Sequence, residues 1–173
     1  MAIHRTYRIT PEGERIDGVF LLAFIHNVNY QLTHIEIYRD GMINCWEWVN
    51  FERFKEKVRS GWVVTQLPPG AEVRVFPLGS FTATNATYEI DPEEFIKEVA
   101  DEIEGLNGKP TASERCSAAW AAYLAAHTDA TKEALRVAYE AIPKHKRDYV
   151  LHDMDTNDRK RLTNDGVDQR TVM

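Results

Sequence analysis

The feature that most constrains this chain is the dipeptide Asp40-Gly41, which lies between two runs of alternating polarity. Asp-Gly in this setting favours a two-residue type I′ turn, because Gly accepts a positive φ freely and Asp tolerates it. The sequence therefore predicts a β-hairpin in which Arg39 lies opposite Met42. The two strands of this hairpin are predicted over residues 32–38 and 43–49.

Counting back from the turn predicts which side chains share a surface of the hairpin. His34 is expected opposite Glu47, and Glu36 opposite Cys45. A thiol beside a base can act as a nucleophile, and a thiolate, an imidazole and carboxylates can hold a metal ion. The alternative is a solvated sheet face with one cross-strand ion pair and a half-buried thiol. No second His stands at metal-ligand spacing, so we expect neither a metal nor a cofactor.

The opposite surface of the hairpin carries two tryptophans, Trp46 and Trp48, beside Ile35 and Ile37. We expect both indole rings in the core, beneath a covering helix. If they are exposed instead, they form a stacking platform for a base or a partner peptide. The candidate binding residues of the hairpin are thus His34, Glu36, Cys45, Trp46, Glu47 and Trp48.

Charge limits the classes of partner. The 173 residues carry a formal charge of −6, which disfavours broad attraction to phosphate backbones. Basic residues cluster only near the C-terminus, where acidic residues offset them. Nucleic-acid binding through these clusters is therefore an alternative and not the main expectation. The clusters span residues 144–147 and 159–161.

Cysteine content and apolar runs bear on location. Cys45 and Cys116 are too few for a disulfide framework and indicate free thiols in a reducing compartment. The apolar run at 19–25 is short, begins late and follows charged residues, unlike the core of a signal peptide. No stretch approaches the roughly 20 apolar residues of a membrane-spanning helix. We therefore expect a cytoplasmic protein without membrane contact.

Residues 1–90 have the pattern of a mainly β region. The run at 19–25 is continuously apolar and predicts a central strand covered on both faces. Asn50 is a good N-cap for one short helix at about 50–60. A loop containing Pro and Gly at 68–70 separates two further strands. The remaining strands are predicted over residues 3–9, 62–65, 71–76 and 81–90.

Residues 91–173 have the pattern of a helical segment with a charged tail. Asp91 begins one helix, Thr111 an alanine-rich second helix, and Thr128 a third helix that Pro143 ends. Strands clustered before helices indicate an α+β protein and not a doubly wound parallel sheet. The expected fold is a curved antiparallel sheet, with a partial barrel as one form that it can take. A C-terminal segment of three or more helices is expected to pack on it as one compact unit.

Established catalytic motifs are missing from the sequence. It contains no phosphate-binding loop, no dinucleotide glycine pattern, no GxSxG elbow, no HExxH and no CxxC. Asp153, Asp155 and Asn157 have the spacing of calcium ligands, but Asp158 stands where that loop requires Gly. Binding is therefore favoured over catalysis, and we assign no catalytic residue and no metal ligand.

These observations favour a small macromolecular interaction or regulatory protein of the accessory or immunity type found in bacteria. A protein partner is expected, and a basic one would complement the acidic charge. The first alternative is a small-ligand binder or enzyme that uses Cys45, His34 and Glu47. The second is a nucleic-acid binder that uses the C-terminal basic residues. The sequence leaves the oligomeric state open.

Overall fold

A computed structural model of the chain describes residues 5–150. Within this range the fold is α+β, as the sequence predicts, with an eight-stranded sheet that does not close and four helices. The strands are β1 (Arg5–Ile9), β2 (Arg15–Asn27), β3 (Asn29–Tyr38), β4 (Met42–Asn44), β5 (Trp48–Asn50), β6 (Val63–Val64), β7 (Ala71–Val75) and β8 (Gly79–Ala83). The helices are α1 (Phe51–Arg59), α2 (Pro92–Leu106), α3 (Ala112–Ala125) and α4 (Asp129–Glu140), and a 3-10 helix follows over Lys144–Tyr149.

Strands β2 and β3 form the centre of the sheet. They pair antiparallel along ten residues each, from Gly18 opposite Tyr38 to Asn27 opposite Asn29. Strands β1 and β6 pair with the other edge of β2, and β4 and β7 pair with the other edge of β3. Only the β3–β7 ladder among these is parallel, so the predicted antiparallel sheet is confirmed with one parallel addition. Strand β8 covers only the start of the strand predicted over 81–90.

The hairpin between β3 and β4 has a different register from the predicted one. Its turn contains three residues, 39–41, and Glu36 pairs with Asn44. Gly41 has a φ of +79°, as the last residue of such a three-residue turn requires. The predicted register, which set Glu36 opposite Cys45, is therefore wrong by one residue. A shift of one residue exchanges the surface on which a side chain lies.

The strand predicted over 43–49 is also interrupted. Strand β4 ends at Asn44, the chain reverses through residues 45–47, and β5 pairs back on β4 with Trp48 opposite Asn44. Trp46 in this second turn has a φ of +70°, a conformation that bulky residues rarely adopt. No Gly marks the turn, so the alternation of polarity suggested one continuous strand.

One face of the sheet, which we call the inner face, forms the core with α1 and α2. Ile25, Ile35 and Ile37 on this face are fully buried. Phe54 of α1 and Phe95 of α2 complete the core, and their ring centroids lie 6.3 Å apart. Helix α2 thus closes the same core as the strands that precede it.

The other face of β2 and β3, which we call the outer face, is much less covered. Leu22 lies at the middle of the central strand and is 58% exposed. The prediction that this strand is covered on both faces is therefore wrong, because the two helices pack on the inner face alone. The outer face consists of Phe20, Leu22, Phe24, His26, Tyr30, Leu32, His34 and Glu36.

The chain divides into two compact units, the first ending at Thr111 and the second beginning at Ala112. The second unit has its own core, in which α3 supplies Cys116 and α4 supplies Leu135. Thr128 caps α4, as predicted, and its hydroxyl oxygen accepts a hydrogen bond from the Thr131 N–H at 3.2 Å. No helix between residues 5 and 150 is long and apolar enough to cross a membrane.

Gly18 offers a test of the close packing between β2 and β3. A Cβ at this position would stand 2.6 Å from the carbonyl oxygen of Ile37 and 2.8 Å from Cδ1 of Tyr38. We expect Gly18→Ala to lower the free energy of unfolding by about 2 kcal/mol, because a paired strand backbone cannot move away. Urea denaturation followed by tryptophan fluorescence measures this loss.

Gly41→Ala is the matched control for that variant. A Cβ at Gly41 meets no atom within 4 Å, so the positive φ is the only source of strain. We expect a smaller loss of about 1 kcal/mol. Equal losses in the two variants would contradict the view that Gly18 is required by close contact.

Candidate functional site

The structure divides the six predicted site residues among three places. His34 and Glu36 lie on the outer face, and Trp48 lies beside them. Cys45, Trp46 and Glu47 form the turn between β4 and β5, and of these Cys45 enters the core. The predicted pairs of His34 with Glu47 and of Glu36 with Cys45 do not form, because the register differs by one residue.

Cys45 belongs to the core on the inner face and is fully buried. Burial raises the pKa of its thiol, and the nearby Lys57 ammonium offsets only part of this effect. His34, the predicted base, lies on the outer face. The predicted cluster of Cys45, His34 and Glu47 is therefore not assembled, since the sheet separates the thiol from the imidazole.

The outer face is a strip of apolar and aromatic side chains. Leu22 lies opposite His34, whose ring is 4.4 Å from that of Phe20 between centroids. At the far end the rings of His26 and Tyr30 stack at 4.3 Å with an interplanar angle of 2°. Ordered ring contacts of this kind hold large side chains in place on the surface, which reduces the entropy lost on binding.

An aromatic and cationic cluster lies at the other end of this strip. The rings of Tyr38 and Trp48 are 5.6 Å apart between centroids. The Arg8 guanidinium lies 5.4 Å from the first ring centroid and 5.5 Å from the second, and it pairs with the Asp40 carboxylate. Trp48 remains 51% exposed, so the prediction that it lies in the core is wrong.

Glu36 is oriented by two hydrogen bonds at this end of the strip. Its carboxylate accepts from the Tyr38 hydroxyl at 3.0 Å and from Asn44 Nδ2 at 3.1 Å. Burial, and then the Glu36 carboxylate, raise the pKa of Tyr38, so the phenol remains a neutral donor near pH 7. The carboxylate thus serves to fix its neighbours.

The turn at 45–47 brings Glu47 to helix α1. Its carboxylate lies 2.6 Å from Lys57 Nζ, and this hydrogen bond lowers the pKa of Glu47. Trp46 is 47% exposed, and its Nε1 lies 3.5 Å from Thr33 Oγ1. The prediction that Trp46 lies in the core is therefore wrong, because the left-handed turn leaves its ring beside Thr33 of the inner face with about half of its surface in water.

The remaining predictions concern a metal site and the two basic clusters. Between residues 5 and 150, no group of three or more His, Cys, Asp and Glu could hold a metal ion. Arg147 of the first basic cluster donates to the carbonyl oxygens of Ile142 at 2.9 Å and Glu140 at 2.8 Å, which satisfies the end of α4. The second basic cluster and the calcium-like acidic spacing lie outside the described residues.

The sequence predicted His34 and Glu36 of the outer face as binding residues but not the part of that face that β2 forms. The run at 19–25 is apolar at every position and so carries no information about which side is covered. A usable signal was present in the partner strand, where His34 and Glu36 alternate with Ile35 and Ile37. A strand with one polar side indicates that the neighbouring strand is also uncovered on that side.

The burial of Cys45 predicts that its thiol reacts slowly with alkylating reagents. In a Cys116→Ser background, we expect alkylation of Cys45 in the folded protein to be at least about tenfold slower than in urea at the same pH. The rate should show no thiolate titration below the ordinary pKa of cysteine, because burial raises the pKa. Stopped-flow alkylation across a pH series measures this. A thiolate appearing near neutral pH would restore the nucleophile hypothesis.

Comparison with known proteins divides the chain where the structure does. Residues 5–110 match the family model described as "Domain of unknown function (DUF7638)". Residues 111–169 match the family model described as "Domain of unknown function (DUF7639)". The junction of the two matches lies within one residue of the boundary between the compact units. Neither a curated protein nor a solved structure matched the chain.

Proposed function

The chain belongs to the DUF7638 family, and we propose that it is a protein-interaction module that binds its partner through the outer face. The observation that carries this proposal is Leu22, which lies at the middle of the central strand and is 58% exposed. The partly exposed side chains of Phe20, Phe24 and Leu32 adjoin Leu22 on the outer face, and a contiguous apolar patch of this kind commonly marks a binding site.

The composition of the outer face supports a protein partner. Protein interfaces are enriched in aromatic residues and Arg and depleted of Lys, Glu and Asp at their centres. The apolar strip and its cluster of Arg8, Tyr38 and Trp48 follow this pattern. Trp, Tyr and Arg are also the residues that contribute most to binding in such interfaces. The charged Glu36 is satisfied within the face by its two hydrogen bonds.

The shape of the strip suits a helix of the partner. From Phe20 to His26 the strip is about 20 Å long at the rise of an antiparallel strand, which is about four turns of helix. Helices already cover the inner face, and a helix with one apolar side is the element that usually covers a sheet. The formal charge of −6 speeds encounter with a basic partner and disfavours nucleic acid.

The setting that we propose is the cytoplasm of a bacterium, where the protein acts as an accessory or regulatory factor. Its small size, its acidic charge and its two buried free thiols support this setting. The catalytic alternative receives less support, since Cys45 is buried apart from His34.

Photo-crosslinking from position 22 tests the proposal. A benzophenone amino acid at Leu22 should give a discrete crosslinked partner in cells, and mass spectrometry identifies it. With that partner purified, we expect Leu22→Glu to weaken binding by at least about tenfold, because a carboxylate would be buried without a partner. Affinity is measured by titration calorimetry.

Leu124→Glu is the matched control, since Leu124 of α3 is a surface leucine of similar exposure, 53%. We expect this variant to bind within about twofold of the unmodified protein. Thermal unfolding checks that both variants are folded. No discrete crosslink from position 22, or equal loss of affinity in the two variants, would contradict the proposal.

A further inference from the structure

A second feature of the surface lies beside helix α1, away from the strip centred on Leu22. A groove of about 300 Å³ is bounded by one side of α1 and by a tryptophan that follows the helix. The helical positions are spaced by three, four and seven residues, so they share one side of α1. Gly61, with a φ of +77°, then turns the chain so that the tryptophan lines the groove. The lining residues are Arg53, Glu56, Lys57, Ser60 and Trp62.

Lys57 is the buried cation of this groove. Its side chain is only 11% exposed, and its Nζ lies 4.9 Å from the centroid of the Trp62 ring. The ring is held in turn by a hydrogen bond of 3.4 Å from its Nε1 to the carbonyl oxygen of Cys45. A cation buried this far needs an anion at hydrogen-bond distance. In this structure Glu47 supplies it, at 2.6 Å.

The Glu47 carboxylate is placed so that it can move away from Lys57. Its side chain is 61% exposed, and it comes from the turn in which Trp46 holds a left-handed φ. Backbone strain of this kind, on the order of 1–3 kcal/mol, persists where the surrounding contacts impose it and is concentrated at functional sites. An anion that binds Lys57 in place of Glu47 would release the carboxylate, whereas the turn stays in place through Cys45 in the core and the hydrogen bond of 3.2 Å from the Cys45 N–H to the Glu47 carbonyl oxygen.

The two cations of the groove are each paired with a carboxylate, Lys57 with Glu47 and Arg53 with Glu56. An anionic ligand must therefore displace Glu47 or use the guanidinium donors that Glu56 leaves open. Arg53 is 61% exposed, and Glu56 engages only its Nη1. A guanidinium offers five N–H donors, so Arg53 can bind a second anion while it keeps Glu56. Trp62 and the alkyl stems of Arg53 and Lys57 give the groove apolar walls.

We propose that this groove binds a small aromatic anion, a carboxylate or a phosphate monoester. The anionic group replaces Glu47 on Lys57 and receives a second hydrogen bond from Arg53. The aromatic part lies along Trp62. This binding is independent of the outer face and involves no covalent step.

Titration of the full-length protein with benzoate and with phenyl phosphate tests the proposal. Binding is followed by calorimetry and by tryptophan fluorescence, with benzyl alcohol and inorganic phosphate as probes that lack one half of the ligand. At least one aromatic anion should bind, and each incomplete probe should bind at least about tenfold more weakly. Binding of neither aromatic anion, or equal binding of benzyl alcohol, would overturn the proposal.

Glu47→Gln gives the sharpest prediction, because an uncharged amide of the same shape replaces the competing carboxylate and can still accept a hydrogen bond from Lys57. We expect the anion to bind about threefold to tenfold more tightly to this variant, which is the net worth of one ordinary hydrogen bond exposed to water. If this variant binds the anion equally or more weakly, the ligand does not displace Glu47 from Lys57, and the proposed site is wrong.

Lys57→Met should weaken binding of the anion by at least about tenfold. Arg53→Gln should have the same effect, and because it alters an exposed side chain it leaves folding intact.

Lys55→Met is the matched control. Lys55 also pairs with a carboxylate on α1, Glu52 at 2.7 Å, and its Nζ lies 5.3 Å from the Phe51 ring centroid. It does not line the groove, so this variant should bind within about twofold of the unmodified protein. An equal loss in Lys55→Met would show a general charge effect and overturn the proposal.

Discussion

The three-residue turn at 39–41 is the constraint on which the rest of the structure depends. The Gly41 N–H donates to the Tyr38 carbonyl oxygen at 2.9 Å, and its left-handed φ closes the turn. This geometry sets Ile43 beside Ile37 on the inner face and turns Asn44 outward. With one residue fewer, each side chain of β4 would lie on the opposite surface, and the core would lose Ile43.

Between residues 5 and 150, helices α1 and α2 cover one face of the sheet, which explains why the other face keeps apolar side chains in contact with water. Helices α1 and α2 close the inner face, where Ile25 and Ile35 are fully buried. The outer face has apolar side chains of similar size, but Leu22 still contacts water. Burying one such side chain contributes about 1.5–3 kcal/mol, which folding of the first unit leaves unused. In the function that we propose, association with a protein partner would use this free energy.

Helix α1 connects the core to the groove. Phe54 and Val58 on one side of the helix are buried against the sheet, while Arg53 and Lys57 on the other side line the groove. The turn at 45–47 contacts both sides, since Cys45 enters the core and Glu47 reaches Lys57. These two contacts offset the strain at Trp46 and explain why a bulky residue holds a left-handed conformation.

The sequence by itself determined the features that depend only on residues close together in the chain. The helix starts at Asn50, Asp91 and Thr128 are correct, because a capping side chain bonds an N–H only two or three residues away. The order of strands before helices, and hence the α+β class, follows from the same local patterns. The reversal at Asp40-Gly41 was also predicted correctly, although its length was not.

The tertiary structure alone decided the register, the turn at Trp46 and the exposure of the outer face. Each depends on groups distant in sequence: Tyr38 lies against Gly18, and Trp62 donates to the Cys45 carbonyl oxygen. A strand that is apolar at every position fits either face equally well. Only the placement of α1 and α2 determines which face is buried, because burial is a property of packed surfaces and not of a local pattern.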